Sequence, residues 1–223
     1  MENFDEARRK MVDSQLRTED VTDHAVLEAM GELPREKFVP NKMRALAYID
    51  EDILVREADE VGPARYLMEP APFARLAQLA EIASTDFVLD IGCANGYSTA
   101  VLARLADSVV AVETDAELAA QATENLIELG VANAAVVSGP LEAGYPAEGP
   151  YDVIFLGGAV ETVPEALFQQ LKNGGRIVGV VGYGRSALAT LFTRSDGDVG
   201  SRPAFNAHLR PLPGFTKPKA FVF

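Results

Sequence analysis

Apolar positions along this chain follow two different periods, and the switch between them divides it. From Phe4 to Leu16 the apolar residues Phe4, Ala7, Met11 and Leu16 keep the three-to-four spacing of an amphipathic helix. Thr22 stands where it can cap a second helix, whose buried stripe is Val26, Leu27 and Met30 before Pro34. Pro40, Gly62, Pro63, Pro70 and Pro72 then punctuate a loop segment. A further helix from Phe73 to Ile82 leads into the first strand, Phe87 to Ile91. After it, helix 97–106, strand 108–113, helix 115–129, strand 134–138, strand 152–156, helix 162–172, strand 176–181 and strand 187–193 follow one another. Lys172, Asn173, Gly174 and Gly175 read as a helix stop and turn before the strand RIVGVVG. Strands alternating with helices predict an α/β, doubly wound, mostly parallel sheet that binds ligands at the carboxyl ends of its strands.

The chemistry concentrates in VLDIGCANGYSTAVL, Val88 to Leu102, and in VVAVE, which ends on Glu113. Strand formers run into Gly92 and Gly96 and a helix opens directly behind them. In a dinucleotide fingerprint GxGxxG, small residues bring helix and strand together and aim the helix start at a pyrophosphate. Here the second glycine position holds Ala94 and the third holds Tyr97, whose ring is expected to force helix and strand apart. That disfavours a nicotinamide-dependent oxidoreductase. A relaxed GxGxG loop preceded by Asp90 suits a cationic, phosphate-free nucleoside, and Glu113 is placed to accept hydrogen bonds from a ribose diol. S-adenosyl-L-methionine fits this description. The alternative is a tight turn in an α/β scaffold with Glu113 as a strand end.

The formal net charge of −13 repels phosphate backbones and anionic membranes, so neither nucleic acid nor a membrane is an expected partner. From Ser201 onward the charge reverses: Arg202, Arg210, Lys217 and Lys219 face no acidic residue in that stretch, which can pair with the acidic body. With 48% hydrophobic residues the chain can bury a large core, and one domain over 1–223 is expected: a helical, substrate-side segment 1–85, a Rossmann-like core 86–200 and a strand region 201–223. The final KAFVF can add an edge strand. No apolar run approaches the roughly 18 residues that span a bilayer, and Met1 to Lys10 is polar, so a cytoplasmic location is expected. The single cysteine, Cys93, excludes an internal disulfide. Neither His24 nor His208 is near it in sequence, so Cys93 reads as a small residue in a tight turn, and no metal-ligand cluster is expected.

Four stretches together resemble one family: MVDSQLRTEDVTDHAVLEAMGELPREKFVP, RALAYID, VLDIGCANGYSTAVLARLADSVVAVETD and YDVIFLGGAVETVPEALFQQLKNGGRIVGVVG. In this order, over most of residues 11 to 195, they look like a protein-L-isoaspartate O-methyltransferase. The resemblance implies a seven-stranded class I methyltransferase sheet with an N-terminal helical addition. It also implies methyl transfer from S-adenosyl-L-methionine to the free α-carboxylate of isoaspartyl residues in damaged proteins. Asp90, Gly92, Cys93, Ala94, Gly96 and Glu113 then correspond to cofactor-binding positions, joined by Pro140 and Leu141 beside the adenine.

Two departures fall at the site. The family carries hydroxyl residues around an isoleucine shortly before a proline; here the stretch is ARYLMEP, with Tyr66 and Met68 in their places and Pro70 retained. A thioether donates nothing, so an acceptor carboxylate loses a partner worth roughly 1.5 to 3 kcal/mol. Pro140 stands where an aspartate accepts from the adenine amino group, with Glu142 two residues on as a substitute. Tyr66, Met68 and Pro70 are therefore the substrate-side candidates, and the acceptor is a protein or small-molecule carboxylate. The alternative is a weak or inactive family member serving as a cofactor-binding or interaction module.

Overall fold

The computed structural model describes residues 3–60 and 62–216. Its centre is the strand Phe87–Ile91, with the strands Ser108–Glu113 and Ala134–Ser138 on one side and Tyr151–Val160 and Leu171–Val181 on the other. With the short strands Ile53–Arg56 and Arg65–Leu67 counted first as β1 and β2, these five are β3 to β7, and all pair in parallel. Leu188–Ser195 (β8) and Asp198–Asn206 (β9) extend the sheet as an antiparallel meander, giving the seven-stranded order β5-β4-β3-β6-β7-β8-β9. Strand β9 overlaps the start of the strand region expected over 201–223 but begins three residues earlier, and it is an almost wholly exposed edge. KAFVF lies outside the described residues.

The helices are α1 (Phe4–Met11), α2 (His24–Glu32), α3 (Pro70–Leu79), α4 (Tyr97–Leu105), α5 (Ala116–Glu128) and α6 (Glu165–Phe168). Period-2 alternation sorts the sheet residues onto two faces. Val88, Val109, Val153, Phe155, Val178 and Val180 point into the cluster formed with α1 to α4, while Ala111 meets Ala122 of α5. Leu89, Ile91, Val110, Val112, Ile154, Leu156 and Ile177 face a thinner cover that includes Leu141, Leu167 of α6, Leu212 and Phe215.

Several local expectations are corrected. The cap of α2 is Asp23, whose carboxylate accepts from the amides of Ala25 and Val26, while the amide of Thr22 donates to Gln78 instead. The first helix leaves α geometry at Val12 and continues to Leu16 as a π turn. Helix α3 starts at Pro70, because proline is preorganised for the first turn and lacks only an amide that has no partner there. The segment expected as loop before it contains two 3₁₀ turns and the antiparallel hairpin β1–β2. The helix expected over 162–172 shrinks to Glu165–Phe168, and Lys172–Gly175 lies within β7 rather than capping a helix. Gln170 explains the stop: its side chain accepts from the amide of Tyr145 at 2.9 Å and donates to the carbonyls of Ala143 and Ala166. This ties the end of α6 to the loop below it.

Tyr97 does not hold helix and strand apart. Its ring packs edge-on to Phe38 at 5.3 Å and near Phe73 at 5.9 Å, so the first residue of α4 docks the N-terminal addition. Among the described residues no helix is long and apolar enough to cross a membrane.

Candidate functional site

Between β3 and α4 the backbone enters the left-handed region three times in five residues, at Gly92 (φ 83°), Ala94 (φ 48°) and Gly96 (φ 93°). Such geometry at a non-glycine residue costs on the order of 1–2 kcal/mol and persists only when surroundings enforce it. Two bonds do so. The amide of Gly92 donates to the carbonyl of Val112 at 2.9 Å, and that of Ala94 to Glu113 Oε2 at 2.8 Å, both at the end of β4. Asp90, wholly buried, accepts from Ser98 Oγ at 2.7 Å and Thr99 Oγ1 at 2.8 Å through one oxygen; the other, Oδ1, has no protein partner. Burial, partly offset by these two hydroxyls, pushes its carboxyl up to about 6. Cys93 is buried beside Asp90 and Glu113, and desolvation with their charge drives its thiol well up.

Glu113 has no exposed surface. Its Oε1 accepts from the amides of Thr114 at 2.9 Å and Asp115 at 3.1 Å, and also from the guanidinium of Arg65. The other guanidinium nitrogen of Arg65 donates to the carbonyl of Gly92 at 3.3 Å. Leu212 also lies against the turn: a methyl group at Gly92 would lie 2.5 Å from its Cδ2. Pro140 precedes a 3₁₀ turn that buries Leu141, and the carboxylate of Glu142 lies against Gly214.

Tyr66 and Met68, with Leu67, face Gly92, Cys93, Ala94, Tyr97 and Ser98 across a cavity of about 20 Å³. Pro70 is buried at the start of α3. The carbonyl of Met68 accepts from Arg35 at 2.6 Å, and the guanidinium of Arg210 lies 4.6 Å from the ring of Tyr66 while bonding Asp52. Thus the basic C-terminal stretch does pair with the acidic body. A larger cavity of about 510 Å³, bordered by Lys172 and Arg194, lies at the amino ends of β6 and β7 and borders none of these groups.

The donor and acceptor set suits a cationic nucleoside: a backbone-lined turn, a carboxylate at the neighbouring strand end and an unpartnered buried oxygen on Asp90. Arg65 bridges Glu113 and the carbonyl of Gly92, and Leu212 lies against Gly92. Among the described residues no cluster of three or more His, Cys, Asp or Glu side chains is placed to hold a metal.

The family model for protein-L-isoaspartate (D-aspartate) O-methyltransferase matches residues 6–212. This chain belongs to that family. It is 37% identical over 206 residues to protein-L-isoaspartate O-methyltransferase 2 of Anaeromyxobacter sp. strain Fw109-5, covering 92% of this chain and 80% of that one. The enzyme of Methanoculleus marisnigri is 36% identical over 207 residues, 93% and 91% of the two chains. A solved protein-L-isoaspartate O-methyltransferase superposes with a TM-score of 0.81 at 28% identity, over 93% of this chain and 66% of that one. A Plasmodium falciparum β-aspartate methyltransferase, solved with S-adenosyl-L-homocysteine, shares the fold at a TM-score of 0.74 and 17% identity. Membership of the O-methyltransferase family carries the reaction class, S-adenosylmethionine-dependent methyl transfer to oxygen, and disfavours the inactive-module alternative.

The sequence pattern passed over the residues that complete this arrangement: Arg65, Arg35, Ser98 and Thr99. Arg65 carried a usable signal. In a strand RYL it shares a face with buried Leu67, and a cation on that face demands a carboxylate partner. Arg35 carried none, since its partners are backbone carbonyls.

Proposed function

We propose that this chain transfers the methyl group of S-adenosylmethionine to a carboxylate oxygen of a protein acceptor, with isoaspartyl residues as the substrate class. The reaction takes place where the Asp90–Gly96 turn faces the Tyr66–Pro70 segment. The observation that carries this reading is that facing: cofactor-side and acceptor-side residues, about 25 positions apart in sequence, line one cavity. S-adenosylmethionine, when bound, supplies a methyl group on a sulfonium leaving group.

The residues of the chain have three tasks. Gly92, Ala94 and Gly96 keep side chains out of the turn so that backbone can approach a ligand, and Glu113 offers its carboxylate to ribose hydroxyls. Leu141 gives the adenine side an apolar wall, since Pro140 has no acceptor side chain. Tyr66, Met68 and Phe73 exclude water from the acceptor side. An acceptor carboxylate is already anionic, so no general base is required and alignment with desolvation supplies the rate. Cys93, held as a neutral thiol, takes no nucleophilic part.

The test is transfer of tritiated methyl to an isoaspartyl peptide and to its aspartyl twin. Base-labile label is expected on the isoaspartyl peptide alone. Replacing Tyr66→Thr and Met68→Ser together raises it about tenfold or more, since a recovered hydrogen bond of roughly 1.5 kcal/mol is one decade of rate. Absence of label with both the wild type and this variant overturns the proposal.

A further inference from the structure

Oε1 of Glu113 is crowded by the protein itself. Each oxygen of an ionised carboxylate offers about two acceptor positions, and Oε1 meets three donors, the amides of Thr114 and Asp115 and the guanidinium of Arg65, while Oε2 takes the amide of Ala94 alone. The amides are fixed backbone groups. The guanidinium arrives from β2, outside the seven-stranded sheet, and its second nitrogen takes the carbonyl of Gly92. Arg65 therefore presents a positive charge and N–H donors to the same two acceptors that a cationic nucleoside with a ribose diol needs.

A second pair repeats the arrangement two residues beyond Glu113. Arg56, at the end of β1, is ion-paired with Oδ2 of Asp115, while Oδ1 of that carboxylate caps α5 through the amides of Glu117 and Leu118 at 3.0 Å. The hairpin is thus latched to Glu113 and Asp115 by two arginines, and the cap of α5 does not depend on either. Between the latches lies a cavity of about 140 Å³ bordered by Arg56, Arg65, Thr114, Asp115 and Pro213.

Resting on the cofactor reading above, we propose that Arg65 is an internal occupant of the cofactor site. It competes with the ribose of S-adenosylmethionine for Oε1 of Glu113, so a diol that engages both carboxylate oxygens requires the β1–β2 hairpin to withdraw. Breaking a buried pair by removing one partner leaves an uncompensated charge, so without ligand hydroxyls to replace the guanidinium the unlatched state is a small fraction of molecules. The apparent affinity for cofactor falls by the fraction of molecules in the unlatched state. Because β2 also bears Tyr66 and leads into Met68, the same withdrawal repositions the acceptor side, which couples acceptor binding to cofactor occupancy.

Calorimetry with S-adenosylhomocysteine on the full chain and its Arg65→Gln variant tests this without reference to turnover. The variant is expected to bind at least tenfold more tightly than wild type. Equal, measurable binding by both overturns the latch and leaves the cofactor reading standing. No heat from either at millimolar ligand, with native circular dichroism, overturns both. Should Arg65→Gln not fold, the wild type decides by NMR: the Nη–H resonances of Arg65, whose Nη1 and Nη2 make the two bonds, are expected to lose their protection from exchange as S-adenosylhomocysteine saturates the site. A resonance that stays protected while ligand binds overturns the latch.

Discussion

The guanidinium of Arg35 lies 4.9 Å from the centre of the Tyr97 ring, and both side chains are buried. Among the described residues no carboxylate bonds this cation. It donates instead to the carbonyls of Ala47 at 2.8 Å and Met68 at 2.6 Å, and desolvation lowers its pKa without discharging it. Arg35 therefore joins the N-terminal addition, the acceptor-side segment and the first turn of α4 through one group. Arg35→Met is expected to lower stability by about 3 kcal/mol, from two buried carbonyls left unpaired and a lost cation–π contact, less the relief of burying no charge. Urea titration measures it. An unchanged midpoint would show that the clamp contributes nothing net.

Gly96 combines a φ of 93° with a site where an added methyl would lie 3.1 Å from Ala122 Cβ and 3.2 Å from its Cα. Both atoms belong to α5 and cannot move aside cheaply. Gly96→Ala is expected to cost about 2–4 kcal/mol, the left-handed penalty together with overpacking. In a chain of this size roughly 2–4 °C of melting temperature is lost per kcal/mol. Calorimetric scanning checks this, and Gly130→Ala, whose methyl would meet nothing within 4 Å, separates the backbone penalty from the clash.

The thiol of Cys93 should be inert in the native protein. It is buried, and its pKa is raised by desolvation and by the nearby Asp90 and Glu113, so thiolate is scarce at neutral pH. Labelling by a disulfide reagent at pH 8 is expected to proceed only as fast as the turn opens, and to become immediate in denaturant. Fast stoichiometric labelling of the folded chain would refute this account and reopen a reactive role for Cys93.

What was legible in the sequence depended on whether a residue's partner was local. Strands β3, β4 and β5 occupy the predicted ranges because apolar runs between a glycine turn and capped helices have few other options. The bounds of β9 could not be read within the strand region expected over 201–223, because it is an exposed edge containing Gly200 and Pro203, both depleted in paired strands. The helix expected through Gln170 failed because the side chain of that residue satisfies backbone groups of distant segments, a tertiary preference that outweighs helix propensity. At the site, the turn and Glu113 could be read from spacing. Arg65, 48 positions away from Glu113, could be found only through the fold.

Asp90 makes stability depend on pH in a specific window. Its folded pKa is raised from the ordinary 3.8 to about 6, so between these values the folded chain holds a proton that the unfolded chain has released. The native state then binds more protons than the unfolded state, and unfolding free energy falls as pH rises through the window. Below about pH 4 both states are protonated and the effect vanishes; above about pH 6 it is fully expressed. Asp90→Asn keeps an oxygen to accept from Ser98 and Thr99 and removes the titration. Relative to this variant, wild type is expected to lose on the order of 3 kcal/mol between pH 4 and 7, since each pH unit separating the folded and unfolded pKa values is worth about 1.4 kcal/mol. Glu69, raised to about 7 by partial burial and by Asp50 and Asp52, titrates in both proteins and cancels in the comparison. Urea midpoints measured every half unit of pH give the difference curve. Parallel curves for the two proteins would mean that Asp90 is ionised throughout and that its unpartnered oxygen is solvated by another route.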